Sequence, residues 1–167
     1  ICTDLAISFA ISQLEAGADI IGLGDAIASQ CSLEMYRQFA LPYEKRIFDA
    51  VHQHGGIARL HICGDTTHLL ADLAQSGADI VDLDWMVDIG RASALYAEDG
   101  PALCGNFDPV AVLLYGTPDE VAEATRECLE KGGARLFSGA GCEVPDGTPH
   151  ANLHMQNEVL KVWNQID

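Results

Sequence analysis

The chain has 167 residues, about half of them apolar and a fifth charged, which is the composition of one folded domain with a sizeable core rather than a disordered segment. Twenty-five acidic residues against nine basic ones give a formal charge of −16. Such a surface repels phosphate backbones and argues against nucleic acid as a partner. No stretch approaches the roughly 18 uninterrupted apolar residues of a membrane span, so no membrane partner is expected.

The opening "ICTDLAISFAISQL" is apolar, but Asp4 interrupts it and no basic segment precedes it, so it is not read as a signal peptide. It begins without Met and inside a helical pattern, which leads to the expectation of a fragment of something longer. From there one pattern recurs: a helix-like segment, a glycine, then a short run rich in apolar and β-branched residues. It is present in "QLEAGADIIGLG" (13–24), "VHQHGGIARLHICG" (51–64), "LAQSGADIVDLDW" (73–85) and "CLEKGGARLFSGAG" (128–141). In each, glycine suits the left-handed position that ends a helix. The runs that follow suit strands buried on both faces. "PALCGNFDP" (101–109) is a fifth strand candidate, preceded by a helix over 87–99.

Helix starts agree with this order. Ser32 is placed to cap a long helical stretch that Pro42 kinks or divides. Asp65 or Thr66 caps a short helix carrying Leu69, Leu70 and Leu73 and ending at Gly77. Thr117-Pro118-Asp119-Glu120 is a capping box with proline at the first helical position, and Thr148-Pro149 opens the last helix in a similar way. Strands alternating with helices, without hairpin signals, predict an α/β fold with a parallel sheet. "GLGDAIAS" (22–29) lacks the third glycine and the helix start of a dinucleotide-binding turn. A partial (β/α)8 barrel of about five βα units, forming a single domain over 1–167, is therefore expected.

The six cysteines are scattered through apolar runs and predicted helices, so reduced thiols in a cytoplasmic protein are expected, not disulfides. Cys2, Cys31, Cys104 and Cys128 read as packing residues. His61 and Cys63 are different. They sit two apart at the end of the predicted strand 57–63, on one side of it, and Gly64 then turns the chain. Cys142 closes the last strand in the same way. In parallel α/β folds the C-terminal strand ends carry the active site. One nitrogen and two sulfurs form a soft donor set suited to Zn2+, with the fourth tetrahedral position left for water or substrate. Asp84, at another strand end, is a candidate displaceable fourth ligand or a partner of the ligands. Asp25 lines the mouth or caps a turn, and Asn106 and Asp108 reach the mouth or form an ordinary N-x-D-P turn. His52, His54, His68, His150 and His154 read as structural or surface residues.

"LHICGDTTHLLADLAQSGADIVDLD", "LCGNFDPV" and "GAGCEVPDGTPHANL" together resemble the uroporphyrinogen decarboxylase superfamily, and the similarity runs through nearly the whole chain. The H-x-C and G-C elements resemble its zinc-dependent, corrinoid-linked methyltransferase branch, which includes the enzymes that methylate coenzyme M. The resemblance implies a (β/α)8 barrel about twice this length, of which this chain supplies roughly the last five strands. It also implies His61, Cys63 and Cys142 as zinc ligands, Asp84 as an acid able to approach the metal, a methylcorrinoid carried by a partner protein, and a thiol as methyl acceptor. In one place the chain departs from the family: Ala151 stands before Asn152 where a Glu-Asn pair is common. A decarboxylase acting on tetrapyrrole carboxylates, or a non-catalytic metal- or ligand-binding fragment, are the alternative readings.

Overall fold

The structure, a computed structural model, describes residues 1–96 and 99–163. Five strands, β1 (Ile20–Gly24), β2 (Ile57–Ile62), β3 (Ile80–Leu83), β4 (Ala102–Phe107) and β5 (Leu136–Ala140), pair in parallel and in chain order. The intervening segments are α1 (Cys2–Glu15), α2 (Leu33–Phe39), α3 (Leu41–Gln53), the single turn α4 (Leu70–Leu73), α5 (Ile89–Tyr96), α6 (Pro118–Gly132) and α7 (His150–Trp163). Among the described residues no helix is long and apolar enough to cross a membrane.

The alternating helix–strand reading therefore holds, and its causes are visible. The glycines that close the four repeated helix–strand units all have positive φ, for example Gly17 at 102° and Gly77 at 91°, a conformation that costs other residues a steric penalty. Ser32 accepts from the Met35 amide and starts α2, while Pro42 falls at the start of a separate α3. The expected capping box at Thr117 and Glu120 is formed at both ends.

Local differences have equally local causes. Asp65 Oδ1 bonds the Thr67 amide, two residues on, so it stabilises a turn, and the helix behind it shrinks to one turn. Thr148 donates its hydroxyl to Pro145 O, which closes the turn ahead of α7. The helix expected over 87–99 runs from Ile89 to Tyr96, with Asp88 Oδ1 accepting from the Gly90 and Arg91 amides; Ala97 and Glu98 lie outside the described residues. A wide helical turn at Pro109–Leu114, started by Asp108, follows β4.

The core lies between the sheet and the helices. Along β2, Ala58, Leu60 and Ile62 are buried and belong to one cluster with Phe48, Val51, Leu70, Leu73, Val81 and Leu83. Arg59 and His61 alternate with these residues and face the other way. Burying the apolar set fixes which side of β2 is which, because a one-residue slip would put Arg59 and His61 into the core. The polar side chains of β2 thus lie on the face opposite the helices.

Candidate metal centre

Parallel pairing brings every strand end to one edge, and the chemistry collects there. His61 is on β2, Cys63 follows β2 and Cys142 follows β5. His61 Nε2 is 3.2 Å from Cys63 Sγ, the two sulfurs are 3.8 Å apart, and Cys142 Sγ is 4.0 Å from His61 Nε2. A tetrahedral zinc with bonds of about 2.3 Å to sulfur and about 2.0 Å to nitrogen requires ligand separations of about 3.8 Å and about 3.6 Å. The observed triangle is that size. It is also too wide for a disulfide, whose sulfurs stand about 2.05 Å apart. All six cysteines are free.

The donor chemistry fits as well. Burial, together with the adjoining Cys142 sulfur, raises the Cys63 thiol above its ordinary range. Two thiolates this close repel each other, and a divalent cation between them removes that repulsion. One imidazole and two thiolates form a soft donor set of a kind that suits zinc.

The loops are built to hold these atoms. Gly64 takes φ +89°, and its amide donates to Asp84 Oδ2 at 2.9 Å. The Met86 amide donates to Asp84 Oδ1 at 3.0 Å. Asp84, only 5% exposed, thus ties the loop after β2 to the loop after β3 and stands beside Cys63 outside the three-ligand group. Gly141 seats Cys142: its amide donates to Phe107 O, and a Cβ at this position would overlap the backbone of Trp85. Only a residue without a side chain lets the final loop lie this close.

The other expected site residues are placed as follows. Asp25 follows β1, is half-buried, and its amide donates to His61 O at 3.0 Å; burial raises its carboxyl above the usual range. Asn106 is buried, and its Nδ2 donates to Asp84 O (3.0 Å) and Val87 O (2.6 Å), so it fixes the loop that carries Asp84 and Trp85. Asp108 Oδ1 accepts from the Val110 and Ala111 amides, which is helix-capping chemistry. Asn152, which follows Ala151, the residue that departs from the expected Glu-Asn pair, is buried and donates to Leu113 O and Gly116 O, holding α7 to the turn after β4. His150 and His154 are exposed.

Two groups escaped the sequence reading. Asp82 pairs in register with His61, and its Oδ2 lies 3.4 Å from His61 Nδ1. The hydrogen bond to Asp82 is the main cause that pushes the metal-free His61 imidazole up to about 9, against burial and aided by Cys142. Burial acts to raise the Asp82 carboxyl, yet hydrogen bonds from His61 and Arg59 outweigh it and hold the group below its ordinary value. The available signal was the i, i+2 spacing of Asp82 and Asp84 in "IVDLD". Glu44 is the second: on α3 it is 2% exposed, accepts the Tyr36 hydroxyl at 2.5 Å, and leaves Oε1 without a hydrogen bond. Its place in an amphipathic helix gave no sign of burial.

Comparisons with known proteins bear on family and fold. The uroporphyrinogen decarboxylase (URO-D) family model matches residues 1–163. The methylcobamide:CoM methyltransferase MtbA of Methanosarcina mazei is 38% identical over 162 residues, covering 96% of this chain and 47% of the relative. The uroporphyrinogen decarboxylase of Chlorobium limicola is 35% identical over 161 residues, covering 92% and 45%. The chain thus spans about half the length of the curated relatives it matches. Among solved structures, a methyltransferase from Methanosarcina mazei aligns with a TM-score of 0.89 at 26% identity, over 98% of this chain and 48% of that one. A B12-independent methionine synthase from Shewanella shares the fold, with a TM-score of 0.69 at 18% identity over 98% of this chain and 56% of that one.

Proposed function

The chain belongs to the uroporphyrinogen decarboxylase family, and from that membership we propose that it forms the metal-binding part of a zinc-dependent methyltransferase. The reaction moves a methyl group between a corrinoid protein and an acceptor thiol such as coenzyme M. The chain supplies the last five βα units of a (β/α)8 barrel, and the protein works in the cytoplasm. The observation that carries the reading is the triangle of His61 Nε2, Cys63 Sγ and Cys142 Sγ at the strand ends.

Zinc bound by these three residues supplies a Lewis acid that keeps an acceptor thiol deprotonated near neutral pH. The chain's own side chains do the rest. Cys63, Cys142 and the Nε2 of His61 would each give up a proton to become ligands. Asp25, at the neighbouring strand end, takes the proton of the incoming thiol on its carboxylate, a task helped by the burial that raises its basicity. Asp84 keeps the loops after β2 and β3 in register through its two backbone hydrogen bonds. Asn106 and Asp108 set the shape of the mouth on which substrate and the corrinoid protein rest. Gly139, on β5, and Gly141 keep the last loop thin enough for that approach.

A decarboxylase of tetrapyrrole carboxylates needs cations to grip its substrate. Here the strand ends present Asp25 and Asp84, and Arg59 is engaged by Asp82. The test uses the intact protein: zinc content by elemental analysis, sulfur neighbours by X-ray absorption, and methyl transfer from methylcobalamin to coenzyme M. One zinc with two sulfur neighbours and turnover are expected. Turnover of uroporphyrinogen by metal-free protein would overturn the proposal.

A further inference from the structure

Beneath the ligand triangle, three neighbouring strands interlock through charged and polar side chains. Asp82, on β3, is the register partner of His61 on β2 and of Cys104 on β4. His61 Nδ1 meets two acceptors from this one residue: the Asp82 peptide oxygen at 3.2 Å and Oδ2 at 3.4 Å. The same Oδ2 accepts from Nη2 of Arg59, which sits two residues before His61 on the same face of β2. Arg59 Nη2 also lies 3.7 Å from Cys104 Sγ. The Asp82 side chain is 10% exposed.

We infer that Asp82, held in place by Arg59, is a positioning residue of the metal centre that selects the His61 tautomer and ring orientation. An imidazole nitrogen facing two oxygen acceptors carries the proton, so Nδ1 is the donor and Nε2 keeps the lone pair. That lone pair is the one aimed at the two sulfurs. Without the Asp82 carboxylate Nδ1 keeps only the peptide oxygen as a partner, and the ring is held less firmly in its tautomer and about its χ2 bond, which weakens a ligand.

Arg59 has its own part. A lone carboxylate beside a centre that already holds two thiolates would add a third negative charge in a part-buried place, and its desolvation would be uncompensated. The guanidinium balances that charge and fixes Oδ2 from below, so the pair orients His61 at no net charge. An ion pair serving stability alone has no need to share its carboxylate oxygen with a histidine whose other nitrogen points at two thiols.

This inference rests on the zinc reading, and the test separates the two. Two double variants of the intact protein are compared, Arg59→Met/Asp82→Asn and Arg59→Met/Asp82→Leu. Both are uncharged, and Asn and Leu are close in shape, so neither strands a buried charge; both keep the peptide oxygen at residue 82, and only Asn adds a side-chain acceptor for Nδ1–H. Zinc affinity is measured by chelator competition, and the visible spectrum is recorded after cobalt(II) substitution. The Asn variant is expected to keep near wild-type affinity and spectrum, and the Leu variant to bind roughly 10- to 100-fold more weakly with shifted ligand-field bands. Equal affinities and identical spectra for the two variants would overturn the inference while leaving the zinc site standing. A wild-type protein that takes up no zinc would overturn both.

Discussion

The sulfurs of Cys63 and Cys142 lie 3.8 Å apart although 79 residues separate them along the chain. In a flat sheet the ends of β2 and β5 would stand about 14 Å apart, three spacings of about 4.8 Å. The sheet's curvature and the inward path of the last loop close that gap. Replacing Cys142 by Ala in the intact protein should therefore reduce bound zinc from one equivalent to a small fraction while leaving the helical circular dichroism unchanged. Elemental analysis of the dialysed variant decides it; full stoichiometry at unchanged affinity would refute the ligand assignment.

Gly141 makes the second prediction. A Cβ there would lie 2.7 Å from Trp85 Cα and would overlap the Trp85 amide, so the obstacle is backbone and cannot swing aside. Gly141→Ala should push Cys142 outward and destabilise the fold by about 1–3 kcal/mol, the usual cost of overpacking. Zinc affinity should fall together with the denaturation midpoint. A variant that loses stability yet binds zinc as tightly as wild type would show that the loop's depth does not set the site.

Asn106 donates to two carbonyls that have moved away from regular pairing, those of Asp84 and Val87. Asn106→Ala should cost about 1–3 kcal/mol, because Val87 O would lose its Asn106 donor and Asp84 O would keep only the Val87 amide. Asn106→Asp should be worse, since it places a carboxylate against two carbonyl oxygens. Urea denaturation of the three proteins gives the ranking, and an Asp variant as stable as wild type would contradict the contact.

Stability should also depend on pH through Glu44. Burial pushes its carboxyl from 4.5 to about 7, with the Tyr36 hydrogen bond acting the other way and the Asp25 carboxylate adding to the rise. The folded state binds this proton more tightly than the unfolded state does. Below about 4.5 both states hold it and the residue costs nothing; between there and about 7 the folded state loses ground, reaching a penalty of about 3 kcal/mol. Glu44→Gln, which keeps an acceptor for the Tyr36 hydroxyl, should flatten that slope and be the more stable protein at pH 8. Denaturation curves at pH 5 and pH 8 test the sign, and parallel losses in both proteins would mean that another group is responsible.

The order of elements was legible in the sequence because its signals are local. Glycine at a helix end, a capping box at Thr117 and a short apolar run each act within a few residues, and together they force alternation and hence parallel pairing. The pairing of His61 with Cys63 was legible for the same reason, since strand geometry puts i and i+2 on one side. Asp84 and Cys142 could be assigned to strand ends, and parallel packing then sends all strand ends to one edge.

What tertiary structure alone decided is how far each side chain is already committed. Asp84 spends both oxygens on the amides of Gly64 and Met86, Asn106 spends its amide on two carbonyls, and Asp108 caps the turn after it. Asp82, spaced like any other alternate residue of β3, becomes the partner of His61 through register between strands. Such commitments depend on distances between segments far apart in the chain, set by sheet curvature and loop depth, and neither quantity is encoded in any short window of residues. Composition and periodicity determined a parallel α/β sheet with thiols and an imidazole at its ends; three-dimensional closure determined that they meet within 4.0 Å.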